Sequence, residues 1–124
     1  MQTTKMIKIM NQTFEISYPS VGQKLQIENV KLLLTDNNYG DLARSNHVTA
    51  IKLLDLVDAV SYFSILIPEI KTSLNVDDFL NMDPKRVKAY TKAYKEDFLP
   101  WMLEIEEELN KEDDDSEEAE DVKA

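Results

Sequence analysis

Two carboxylates, Asp55 and Asp58, stand three residues apart in the stretch "IKLLDLVDAV", a spacing that puts both on one face of a helix. Such a pair performs acid-base chemistry only where a pocket drives the two pKa values apart. Nothing in the flanking sequence marks a pocket, so a solvated face or a buried polar contact is the expected role. His47 is the single histidine, and the chain has no cysteine to help complete a metal set, so capping or solvent exposure is expected there rather than ligation. The "DDD" at 113–115 lacks the alternating ligands, the turn glycine and the closing glutamate of a calcium loop. The two glycines, Gly22 and Gly40, are too far apart to form a phosphate-cradling loop. Nucleophile motifs around serine are absent as well. These residues predict a protein that is not an enzyme, with no cofactor and no metal.

A second kind of chemistry is recognition. Phe98, Leu99, Trp101, Met102 and Ile105 gather apolar bulk around Pro100, next to a carboxylate-rich run. Two roles fit. The cluster is either the anchor that docks a kinked terminal helix onto the domain, or a partly exposed patch that receives an amphipathic partner helix. As candidate partner-binding residues these five are the strongest in the chain.

Charge bounds the partners. The 124 residues carry a net charge of −10. From Glu104 onward, twelve acidic residues face only Lys111 and Lys123, so this end holds the whole net charge and the first 103 residues are neutral. A charge block of that kind predicts a solvated, disordered acidic tail at 111–124, because it cannot bury enough apolar area to offset its ordering entropy. No basic stripe stands out, and nucleic-acid binding is not expected, since that affinity depends on Lys and Arg displacing counterions. The most apolar window, residues 51–67, is interrupted by Lys52, Asp55 and Asp58, so no membrane span is expected. The opening "MQTTKMIKIMNQ" lacks the apolar core of a signal peptide. A soluble intracellular protein is the resulting expectation.

The elements that must position these groups follow from pattern. "MIKIM" and "FEISY" alternate with a period of two, predicting a hairpin over residues 6–18. Ser20 with Gln23 forms a capping box for a helix over 21–36, with Val21, Leu25, Val30, Leu33 and Leu34 as its apolar side. A helical stretch over 41–67, pausing near Ser45 and Asn46, carries the central core positions Leu53, Leu56, Val57, Val60, Phe63 and Ile67. Asn75 and Asp78 open a short helix over 76–81. Asp83 and Pro84 start the last helix, 84–109, which Pro100 should kink. The fold class is mainly α (α+β): one domain over residues 1–110, a small hairpin followed by four or five helices.

The segments "YPSVGQKLQIENVKLLLT", "NNYGDL", "IKLLDLVDAVSYFSILIPEI" and "YTKAYKEDFLPW" together resemble small acidic proteins encoded in the tail and neck region of bacteriophages, and within these the tail assembly chaperones. The resemblance spans residues 14–101 and is one of layout, and the opening hairpin departs from it. It implies a non-enzymatic protein in the host cytoplasm that coats the apolar helix of a tape-measure protein and passes it to tail-tube subunits. A homo-oligomer is compatible with that role. The alternative is a minor structural virion protein: a neck, tail-terminator or capsid-associated subunit.

Overall fold

A two-residue turn sets the start of the chain. In the computed structural model, which describes residues 3–73 and 75–123 and the side-chain surroundings of 3–70 and 75–111, β1 (Thr4–Ile9) pairs antiparallel with β2 (Gln12–Ser17). Met10 and Asn11 connect them with φ of 50° and 71°, the left-handed pair that a type I′ hairpin turn requires. Asn adopts this conformation readily, whereas Met10 carries a cost of about 1–2 kcal/mol. Because the turn uses only these two residues, Gln12 and Thr13 join the ladder and pairing reaches back to Thr4 opposite Ser17. Ile7, Ile9 and Ile16 point into the core.

The helices begin where local hydrogen bonds specify. Ser20 Oγ accepts from the Gln23 backbone N–H while Gln23 Oε1 accepts from the Ser20 N–H, a reciprocal pair that starts α1 (Val21–Leu34). The chain then reverses through Asp36 and Asn37, both at positive φ. Two helices follow, α2 (Tyr39–Arg44) and α3 (Val48–Leu66), separated at the expected pause. Pro68 ends α3 and also opens α4 (Pro68–Ser73), an element the sequence reading lacks. Asn75 and Asp78 cap α5 (Val76–Leu80) reciprocally, and Asp83 Oδ1 accepts from the Arg86 N–H to start α6 (Pro84–Lys92).

Ahead of Pro100, where a kink was expected, the helix changes its hydrogen-bond pattern. α6 passes into a π-helical segment, Ala93–Phe98, and then into α7 (Leu99–Lys123). Pro100 has no N–H to donate to the carbonyl one turn back, and just before it the Leu99 N–H reaches five residues back, to the Tyr94 carbonyl. The acidic stretch 111–124, expected to be a disordered tail, continues the α7 backbone as far as Lys123, and the side chains of residues 112–124 lie outside the described residues.

α3 is the hub, packing against α1, α2, α4, α6 and the π-helical segment. Phe63, fully buried at its centre, meets Tyr90, Tyr94 and Phe98 at ring-centroid distances of 6.2, 6.4 and 5.6 Å. Leu53, expected in the core, is exposed, while its neighbour Leu54 is half-buried. α1 meets the expected facing only in part, with Leu34 buried and Val30 half-buried as expected. Ile27, Lys31 and Leu34 are buried, at i, i+4 and i+7, while Val21, Leu25 and Leu33 are exposed.

Candidate functional site

Lys31 is the least expected of the buried residues, at 7% exposure. An isolated ammonium in that position would be costly, and its surroundings show how the cost is met. Its Nζ lies 3.0 Å from Glu28 Oε1 and 3.8 Å from Asp58 Oδ1. The same ammonium stands over the rings of Tyr39 and Tyr62, at 5.3 and 5.2 Å from their centroids, a cation–π arrangement that replaces part of the lost hydration. Tyr39 Oη donates to Asp58 Oδ1 at 2.7 Å. One carboxylate on α3 thus receives a phenol from α2 and an ammonium from α1.

Burial pushes the Asp58 carboxyl above the ordinary carboxylate range, and the Tyr39 hydrogen bond and Lys31 charge only partly oppose it. Burial, followed by the Asp58 hydrogen bond and charge, drives the Tyr39 phenol upward. Tyr62 is pushed up to about 12, first by burial and then by the charges of Asp58 and Glu28. Burial above all raises Tyr94, with the Asp58 charge adding to it. A cavity of about 130 Å³ nearby is lined by Lys24, Ile27, Glu28, Tyr62, Met102 and Glu106. Asp58 does not line it; its carboxylate accepts from Tyr39 and pairs with Lys31 instead. The arrangement serves as a polar strut that fixes α1 and α2 onto α3.

Asp55, one turn away, looks elsewhere. Its Oδ2 is 3.3 Å from Lys95 Nζ at the edge of an open groove of about 940 Å³, bounded by Lys52 and Asp55 on α3, by Val87, Lys88, Thr91 and Lys92 on α6, and by Lys95 and Glu96. Lys52, Lys88 and Lys92 are exposed and form no ion pair among the described residues. The two aspartates expected on one face therefore serve different neighbours, and they do not form a pair. The absence of a basic stripe also needs correction. Between Pro84 and Lys95 the sequence holds Lys85, Arg86, Lys88, Lys92 and Lys95 with no acidic residue, a local bias that the chain average conceals.

The aromatic cluster proposed for partner binding is mostly core. Phe98, Trp101, Met102 and Ile105 are buried, and Leu99 is half-buried. Trp101 meets Tyr18 edge-on at 6.5 Å and Phe98 at 5.9 Å. Of the two roles the sequence left open, this burial is that of the anchor that docks the terminal helix onto the domain, and it leaves little exposed patch there. His47 occupies the N-cap position of α3, is exposed, and makes no side-chain capping bond. Among the described residues no group of three or more His, Asp or Glu is placed to hold a metal ion, and no helix is long and apolar enough to cross a membrane. No protein-family model matches the chain, and no curated protein or solved structure matches it.

Proposed function

We propose that the protein is a non-enzymatic binding module that holds an apolar helical segment of another protein. The observation that supports this is the apolar exposed side of α1. The helix buries Lys31 while leaving Val21, Leu25, Leu32 and Leu33 exposed, and the start of α3 adds exposed Val48, Ile51 and Leu53. Val21, Leu25 and Leu32 lie at i, i+4 and i+11, one line along the helix. Apolar side chains set out in this way on a helix are what a helix-to-helix contact uses.

The finer reading, a phage tail assembly chaperone whose client is a tape-measure protein, rests on the resemblance described above. Its test is co-expression with the tape-measure protein of the same genome. The expected outcome is a soluble complex that Leu25→Glu/Leu32→Glu abolishes, with thermal unfolding of the isolated variant unchanged because both side chains are exposed. A complex that survives the double substitution removes α1 as the binding face. Mass spectrometry of purified particles should not find the chain. Its presence there at fixed copy number would assign it to the structural virion components instead.

A further inference from the structure

We propose that the lysine-lined groove between α3 and α6 binds the acid-rich C-terminal segment of a second copy of this chain. Two observations carry it. The groove presents Lys52, Lys88 and Lys92 exposed and without ion-pair partners among the described residues, beside Val87 and Thr91, and its two carboxylates are Asp55, paired with Lys95, and Glu96. In the same sequence, residues 112–121 hold eight acidic residues and no basic one. Charge complementarity of this kind orients an encounter and fixes its register.

A second copy is the occupant because the chain's own acidic segment is badly placed to reach the groove. α7 is anchored in the core by Trp101, Met102 and Ile105 and continues to Lys123. Its 25 residues span about 38 Å at the α-helical rise. It follows α6 in the same helical run, so returning onto α6 would require breaking it. Between two copies the helix needs no break. The contact joins two different surfaces, groove to tail, so it propagates beyond a dimer unless it closes into a ring.

The test is sedimentation velocity on the full chain over a concentration series at two salt levels. At about 10 mM salt, where charges interact over roughly 30 Å, mass should grow with concentration. At about 1 M, where that reach is roughly 3 Å, the chain should be monomeric. Lys88→Glu/Lys92→Glu should weaken low-salt association by at least about tenfold, the loss expected when close charge pairs are reversed. Both lysines are exposed, so its far-UV melting curve should match the wild type, and Lys88→Gln/Lys92→Gln gives the same reading with a milder change. A second variant keeps the groove and neutralises the tail (Asp113→Asn, Asp114→Asn, Asp115→Asn, Glu117→Gln, Glu118→Gln) and should also be monomeric alone. Mixed with the Lys88→Glu/Lys92→Glu chain, it should form a one-to-one dimer and nothing larger, since only one intact groove then meets one intact tail. A monomeric wild type at low salt, unchanged association in the groove variant, or a mixture that stays monomeric overturns the proposal. So does capture of a single-stranded oligonucleotide in the groove without self-association, which would assign it to nucleic acid.

Discussion

The two flanks of α3 use the same chemistry to opposite ends. On one, Asp58 meets Lys31 and Tyr39 under the cover of α1 and α2. On the other, Asp55 meets Lys95, whose side chain is 56% exposed. Both are aspartate–lysine contacts three residues apart on one helix, yet water solvates the second and is largely excluded from the first. A buried charge left without its partner is a liability of several kcal/mol, whereas a wet ion pair contributes at most about 1 kcal/mol. Burial, more than residue type, decides which pair holds the fold together and which remains available to a partner.

The largest effect should come from removing what keeps the flanks apart. Phe98 is fully buried against Phe63, Tyr94 and Trp101, and Phe98→Ala should cost about 3–5 kcal/mol through the cavity it leaves. Urea denaturation measures this, and a loss below about 1 kcal/mol would mean that the aromatic stack is not the core. Next comes the direct contrast. Lys31→Ala leaves Asp58 with Tyr39 alone and should cost about 1–3 kcal/mol, while Lys95→Ala should stay within about 0.5 kcal/mol. Equal losses would erase the distinction between the flanks.

A smaller effect depends on pH. The folded-state pKa of Asp58 is raised, so the stability it contributes is present below the ordinary carboxylate pKa of about 3.9 and is lost as pH rises through the folded value. Asp58→Asn keeps an acceptor for the Tyr39 hydroxyl and removes the titration. Its stability relative to the wild type should therefore improve from acidic to neutral pH, read as a shift in urea midpoint at each. A constant difference would show that Asp58 ionises in the folded protein as it does in the unfolded one. The smallest effect concerns Ser61, whose Oγ is buried with no hydrogen-bond partner among the described residues. Ser61→Ala should be neutral or stabilising by up to about 1 kcal/mol, since it removes an unsatisfied polar group. A clear loss would reveal a partner for this hydroxyl.

What could be read from sequence was whatever the chain decides over three or four residues. The caps at Ser20, Asn75 and Asp83 and the pause near Ser45 all rest on groups within one helical turn of each other, and all lie where the pattern put them. The hairpin was legible for the same reason, to within the two residues by which its turn shifts the register. Facing was not legible. α1 offers Leu25 and Leu33 as plausibly as Ile27 and Leu34, and only Asp58, Tyr39 and Tyr62, up to 31 positions further along, make Lys31 the residue to bury. Pro68 was read as a stop, although proline suits the first turn of a new helix equally well. The cations from Lys85 to Lys95 were lost in an average dominated by the far end of the chain, and a sliding charge window would have found them.

The π-helical turn at Ala93–Phe98 works as an indexing step in a screw. Carbonyls that reach five residues ahead instead of four make room for one additional residue per turn, so everything after Leu99 is set at a different azimuth from the one α6 alone would dictate. Deleting a single residue within the turn would restore ordinary pitch and leave the remainder near its present bearing, whereas ordinary pitch with every residue kept would rotate it by about 100°. Trp101 and Ile105 would swing off the core, and the glutamates beside them would swing in. The bearing of the whole acidic end is therefore fixed by how this turn takes up one surplus residue.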